Sequence, residues 1–308
     1  MLSAFFMVAR QVIILFILIS LGAIANKTGL IKQSAIKGMT ELVLYFVTPC
    51  VILKSFQREM NPSLVKGLLI TAVVAFLSHF FGILLSRITI KDKDESAQTV
   101  MRFGSVFGNC GFMSLPIEDA LFGSEGVFYG AVFIAVFNVL LWTYGLTIMS
   151  DGKERITAKK LILNPGILGV ILGIIVFVLG IKLPVIIESP IEYMAALNTP
   201  LPMIIIGFYL GNLSLAKVFE HRKQYISYLI RLVAVPLFGI LILLPFHVSK
   251  TVFVVCAIAN CAPVAATTAM FSSKFDRNAT LAAQMVSMST LISIVTMPLI
   301  VALAQYIA

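Results

Sequence analysis

Apolar residues run along this chain in long blocks, with polar residues collected between them. A helix needs about 20 mostly apolar residues to cross the ~30 Å hydrocarbon core of a bilayer. Ten blocks of that kind occur, near residues 4–25, 38–56, 65–86, 98–120, 126–148, 162–181, 196–213, 225–246, 250–272 and 280–305. They predict an all-α membrane protein of ten transmembrane helices, with little chain left for a soluble domain. The first block has no basic residue before Arg10 and no small-residue cleavage site before Lys27, so it reads as helix 1 and not as a signal peptide.

Two blocks are interrupted at their centres. Helix 4 reads Phe107-Gly108-Asn109-Cys110-Gly111-Phe112-Met113-Ser114-Leu115-Pro116, and Gly108, Gly111 and Pro116 each weaken a helix. At 1.5 Å per residue Asn109 lies roughly 16 Å into its block, near the bilayer midplane. Helix 9 reads Ala259-Asn260-Cys261-Ala262-Pro263, and about ten residues from Thr251 reach the same depth. Unpaired main-chain groups in lipid cost several kcal/mol each, so the breaks are expected to face a cavity where protein, water or ligand satisfies them. Beyond Pro116 and Pro263 a half-helix restarts, and its N-terminus carries roughly half a positive charge in fixed N–H dipoles. Two such ends meeting would attract a carboxylate. Asn109, Cys110, Gly111, Pro116, Asn260, Cys261, Ala262 and Pro263 are therefore the candidate substrate-binding residues.

The two halves of the chain echo one another. Residues 1–150 hold helices 1–5 and residues 151–308 hold helices 6–10, joined by the polar link from Ser150 to Lys160. Helix 2 contains Thr48-Pro49 where helix 7 opens Thr199-Pro200-Leu201-Pro202, and Asn109-Cys110 is matched by Asn260-Cys261. Five is odd, so the copies are inverted, and inverted repeats with matched interruptions mark many secondary transporters. Pro49 joins the candidate site as the helix 2 interruption. Asn138 and Thr267 join it from the polar residues that could face the cavity, which also include Thr48, Trp142, Tyr144, Asn198, Thr268, Gln284 and Ser287. Interhelical hydrogen bonding is the plainer role for most of these.

Composition agrees with a lipid solvent: 59% of residues are hydrophobic and 12% charged, against about a quarter charged in soluble domains. A net charge of +9 would suit nucleic acid, but no basic residues interleave with aromatics on a soluble face, so no nucleic-acid partner is expected. The distribution of the charge is more informative. Of 23 Lys and Arg, 17 fall in loops 1–2, 3–4, 5–6, 7–8 and 9–10, and six on the opposite face. The positive-inside rule makes the first face cytoplasmic and places both termini outside the cell membrane. Cys50, Cys110, Cys256 and Cys261 all fall inside apolar blocks, where they act as small hydrophobes and form no disulfide framework.

An ionisable residue at depth is a functional candidate by default. Arg10, Glu41, His79 and Arg231 lie within about two turns of a helix end, where snorkelling accounts for them. Glu118 and Asp119 closely follow Pro116 and are the candidates for carrying a proton. Gly169-Val170-Ile171-Leu172-Gly173 reads as close helix packing, and the sequons at Asn26, Asn212 and Asn278 fall on the cytoplasmic side as chance matches. No P-loop, GxGxxG or HExxH occurs, no Cys/His cluster has metal spacing, and no deep aspartate pair could form a protease dyad. The sequence therefore predicts no enzyme, no metal site and no cofactor. The coupling ion is left between H+ and Na+, since broken-helix carbonyls can bind sodium.

These segments together resemble the auxin efflux carrier family, which includes bacterial malate and malonate permeases. The resemblance covers nearly the whole chain. Its strongest parts are Gly108 to Ile117, Phe137-Asn138-Val139-Leu140-Leu141-Trp142, Asn164-Pro165 with Gly169 and Gly173, Pro200-Leu201-Pro202-Met203 with Gly207, and Ala262-Pro263-Val264-Ala265. It implies an inverted 5+5 arrangement, broken helices 4 and 9 crossing near the substrate, an elevator-like motion and a homodimer. It also implies a substrate site at a helix 4 asparagine and two crossover prolines, here Asn109, Pro116 and Pro263. The chain lacks the long cytoplasmic loop of the larger plant members, which points away from auxin and from loop phosphorylation. The resulting expectation is a secondary transporter for mono- or dicarboxylates such as malate or malonate. A membrane receptor or an anion channel stands as the alternative, though the short loops offer a receptor little surface for a partner.

Overall fold

The computed structural model describes residues 2–154, 163–211 and 221–308. The basic residues Arg155, Lys159, Lys160 and Lys217 and the sequon at Asn212 lie outside the described residues. Within them the regular structure is helical. Helix α1 is Leu2–Lys27, α2 is Gln33–Ser55 and α3 is Pro62–Thr89. After α4, Glu95–Val106, comes the stretch Cys110–Met149, divided at Gly123 (φ 57°, ψ −146°) into α5 (110–122) and α6 (124–149). Then follow α7, Pro165–Leu179, α8, Val185–Ala196, and α9, Pro200–Gly211. The chain ends with α10, Gln224–Phe246, α11, Lys250–Asn260, α12, Thr267–Lys274, and α13, Ala279–Ile307. Seven helical stretches among the described residues are long and apolar enough to cross a membrane, with α5–α6 and α8–α9 (Val185–Gly211) each counted as one, and α7 and α11 are shorter apolar helices.

The described residues of the ten apolar blocks are largely helical, with two differences of shape. Blocks 4 and 9 each form two helices, parted at 107–109 and 261–266. Block 7 is α9, preceded by α8, which lies between two of the predicted blocks. The sequence of α8 mixes Glu188, Pro190 and Glu192 with apolar residues, which hides its helical period. No residue of α8 is buried, and it lies along the end of α2, where Lys54 Nζ meets Glu192 Oε1 at 3.0 Å.

Local chemistry explains where the helices start and widen. Asn61, Asp94, Asn164, Ser249 and Asn278 cap α3, α4, α7, α11 and α13 through side-chain oxygens that accept main-chain N–H bonds. The cap at Asn278 leaves that sequon with a structural role, as does the Asn26 amide, which donates to the Phe208 carbonyl at 2.6 Å. Of the four π turns among the described residues, Val43–Val47, Cys110–Ser114 and Ile230–Ala234 each end two residues before a proline, Pro49, Pro116 and Pro236, while Leu141–Gly145 does not. Proline lacks an N–H and crowds the carbonyl four residues back, and a widened turn relieves both problems.

Glycines allow the helices to approach closely. A Cβ at Gly207 on α9 would stand 1.8 Å from the Ile19 carbonyl oxygen on α1, and one at Gly22 would stand 2.2 Å from that of Ile204. Gly169 and Gly173 of α7 rest against Pro49 of α2 and Phe56 just beyond its end, so the GxxxG is a packing seam. The outside is apolar: Ile17, Leu69, Val178 and Val295 are more than half exposed. Such a surface suits lipid, while Ser78, Thr71, Ser105 and Ser114 are enclosed. Polar contacts join the loops in two groups. Asp92 pairs with Lys223 (3.2 Å), linking the turn before α4 to the start of α10, and Arg277 pairs with Asp151. The N–H of Asp94 first, and Lys223 with it, hold the Asp92 carboxyl below the usual carboxylate range. On the other group of loops, Lys182 approaches Glu59 at 3.9 Å and Lys250 donates to the Gln305 carbonyl at 3.1 Å.

Candidate functional site

The two interruptions lie side by side. Phe107 leaves α4 in an extended conformation (φ −96°, ψ 104°), and Gly108 forms an antiparallel bridge with Val264. The Asn109 N–H donates to the Pro263 carbonyl at 2.7 Å, and the Ala265 N–H donates to the Phe107 carbonyl at 2.9 Å. Each break thus satisfies part of the other, so that protein main chain is among the partners the breaks require. Around this bridge, Val264 N–H donates to Ser289 Oγ of α13 at 3.0 Å, and Ser114 Oγ donates to the Ile258 carbonyl at 3.1 Å.

Arg231 completes the assembly. Its Nη1 donates to the Val106 carbonyl at 2.8 Å and its Nη2 to the Asn260 carbonyl, so one guanidinium spans the ends of α4 and α11. The residue is 2% exposed. Snorkelling is therefore the wrong account of it: the side chain points into the bundle and grips main chain. His79 is corrected in the same way. It is buried, its Nδ1 lies 2.7 Å from the Ala75 carbonyl oxygen, and Phe107, Phe133 and Phe137 surround the ring. Arg10 and Glu41 are exposed, as expected. Sequence carried the position of Arg231 in its block, but which way it faces depends on the packing of α10 against α4 and α11.

The predicted site residues divide into three groups. Asn109, Cys110, Asn260, Cys261, Ala262 and Pro263 are buried at the crossing. Gly111 is half-buried beside them, and a Cβ added there would meet nothing within 4 Å, so there is open room at this edge of the crossing. Thr267 opens α12 with its hydroxyl buried and without a hydrogen-bond partner, while the next N–H groups, of Thr268, Ala269 and Met270, donate to the Ala265 and Ala266 carbonyls. The Asn260 amide turns away: its Nδ2 would lie 2.4 Å from a Cβ on Gly239 of α10, and it has no hydrogen-bond partner.

Pro116 is buried at the start of the regular part of α5. Pro49 and Asn138 sit elsewhere, against Gly169 and Gly166 of α7, where they pack α7 onto its neighbours. The proton candidates also separate. Glu118 is 1% exposed with neither carboxyl oxygen hydrogen-bonded, pressed against Gly130 of α6, whereas Asp119 is exposed. Cavities of about 640 and 230 Å³ open near the start of α3, lined by Met60, Leu69 and Phe246 in one case and by Lys66, Glu125, Tyr129 and His247 in the other. No crossing residue lines either. No group of acidic, Cys and His residues among the described residues could hold a metal ion.

An all-helical body with an apolar exterior, enclosing two helix breaks bonded main chain to main chain, is the build of a membrane-embedded transporter. Sequence comparison agrees: the membrane transport protein family matches residues 7–160 and 153–301. The chain belongs to this family, which holds the auxin efflux carriers, and it is a multi-pass membrane transporter and not an enzyme. It is similar to an uncharacterized transporter of Methanocaldococcus jannaschii, at 29% identity over 65% of this chain and 68% of the relative. It is also similar to an uncharacterized transporter of Methanothermobacter thermautotrophicus, at 25% identity over 94% of this chain and 96% of the relative.

Proposed function

We propose that the protein is a secondary carrier of small organic anions, mono- or dicarboxylates such as malate or malonate, working by alternating access. The observation that carries this reading is the bridged pair of breaks, which brings the restarting half-helices beyond Asn109 and Pro263 to one place inside the bundle. Their leading N–H groups form an electropositive end that suits a carboxylate, with Asn109, Gly111 and Thr267 at its edge. On this reading the chain forms ten membrane crossings in two inverted repeats, residues 1–150 and 151–308, with α4–α5 and α11–α12 as the broken, crossing helices. The polar links fit it: Asp92 with Lys223 joins loop 3–4 to loop 7–8, and Lys182 with Glu59 joins loop 6–7 to loop 2–3. Each link keeps to one face. The carrier works as a homodimer in the cell membrane with an elevator-like motion, with both termini outside and Glu118 as the group that carries a coupled proton.

Uptake of labelled malate and malonate into proteoliposomes tests the reading. Saturable uptake is expected, and Asn109→Ala should weaken affinity roughly 10- to 150-fold, the worth of one hydrogen bond to a charged acceptor. Melting of the same purified variant should stay near wild type. Single-channel currents in place of saturable flux would make the protein a channel. Wild-type affinity in Asn109→Ala would place the anion elsewhere.

A further inference from the structure

Two of the helix ends at the crossing are C-terminal. α4 stops at Val106 and α11 at Asn260, so each leaves carbonyls without intrahelical donors and a partial negative charge of about half a unit. Arg231 donates to both of these last carbonyls, through Nη1 at 2.8 Å and through Nη2. Two half charges balance one guanidinium. Among the described residues no acidic side chain forms an ion pair with it, and its Nε lacks a hydrogen-bond partner. The surroundings are shaped to admit it. Its own helix widens into a π turn over Ile230–Ala234, and Gly108 leaves space that a Cβ would narrow to 3.0 Å from Arg231 Cζ.

In broken-helix carriers, the carbonyls at half-helix C-terminal ends are the groups that coordinate a coupling cation. Here a cation fixed to the chain already occupies them. We propose that Arg231 is the built-in cation of the crossing, a positioning residue that takes the carbonyl site a sodium ion would otherwise fill, so that anion binding needs no sodium. This rests on the carrier reading for its link to the anion, but the occupancy of the carbonyls stands without it. A guanidinium differs from a bound ion in two ways. Its planar fork reaches carbonyls on two helices at once, and it cannot dissociate to either side, so the positive charge stays with the crossing throughout a transport cycle.

The test compares the wild type with Arg231→Met, which keeps an unbranched apolar stem and loses charge and donors, and with Arg231→Lys, purified in sodium chloride and in choline chloride. Melting is read first because it needs no substrate. The wild type and Arg231→Lys are expected to melt at the same temperature in both salts. Arg231→Met should melt lower in choline and recover in sodium, because its two carbonyls are then open to a metal ion. A wild type stabilised by sodium, or an Arg231→Met protein indifferent to it, overturns the proposal. If Arg231→Met folds in neither salt, Arg231→Lys decides: sodium stabilisation of that variant overturns the proposal and its absence upholds it. Binding of malonate is read second. Wild-type affinity should be equal in the two salts, and Arg231→Met should bind at least about tenfold more weakly in choline than in sodium. A wild type that binds malonate only with sodium overturns the proposal. A wild type that binds neither malonate nor malate in either salt counts against the carrier reading's substrate, and the melting comparison then decides the role of Arg231 alone.

Discussion

Glu118 is a carboxylic acid enclosed by protein with no partner for either oxygen, and its neighbour Asp119 is exposed. The sequence places the two side by side after Pro116 and treats them alike, because adjacent residues on a helix differ only in the direction they face. That direction is set by Gly130 on α6, which has no Cβ and so leaves room for the Glu118 carboxylate. An unpartnered charge buried in apolar surroundings is costly, and proton uptake removes it. Glu118→Gln is therefore expected to make uptake indifferent to a pH gradient, while Asp119→Asn keeps the wild-type dependence. Flux measured with and without an imposed gradient checks this, and the reverse pattern would move the proton to Asp119. Arg231 and His79 teach the same lesson. Their depth in the apolar blocks was legible, but their inward orientation arises from helices that meet only in the folded bundle.

At the scale of the element, the helical character of the apolar blocks and the places where regular helix stops, near Asn109 and Pro263, could be read from the chain because each has a local cause. Apolar runs of membrane length, Pro116, Pro263 and the glycines around Asn109 act within a few residues of where they stand. The pairing of the breaks was not legible, since the bonds from Asn109 to Pro263 and from Ala265 to Phe107 join segments far apart in sequence. Helix α8 was missed for the opposite reason: its weak apolar signal is local, but its packing along α2 is not. The seam between α1 and α9 gives a direct test of packing. A side chain at Gly207 must displace the Ile19 main chain, 1.8 Å from the new Cβ, and main chain yields less readily than a side chain. Gly207→Val should cost more than the roughly 1–3 kcal/mol typical of overpacked cores, lowering melting temperature and folded yield. Gly38→Ala, inside α2 where a Cβ meets nothing within 4 Å, should lower neither, since Ala is the better helix former.

Across the whole molecule, 17 of the 23 Lys and Arg belong to one set of loops in the ten-crossing reading. Epitope tags at Met1 and Ala308 are expected to be reached by antibody on intact cells, on the outer face with Lys54 and Lys182. Protection of either tag until the membrane is opened would remove the ten-crossing count and the inverted repeat with it. The bridge between Gly108 and Val264 also has a consequence for how the chain is made. Its two strands are about 150 residues apart, and at roughly 5–20 residues per second the ribosome needs on the order of ten seconds or more to supply the second. During that interval the carbonyl of Phe107 and the N–H of Asn109 have entered the membrane without their eventual partners, and Arg231, which caps Val106, is made only late in it. The newborn first half must wait beside water or the insertion machinery, and it becomes at home in lipid only once the second half arrives to close it.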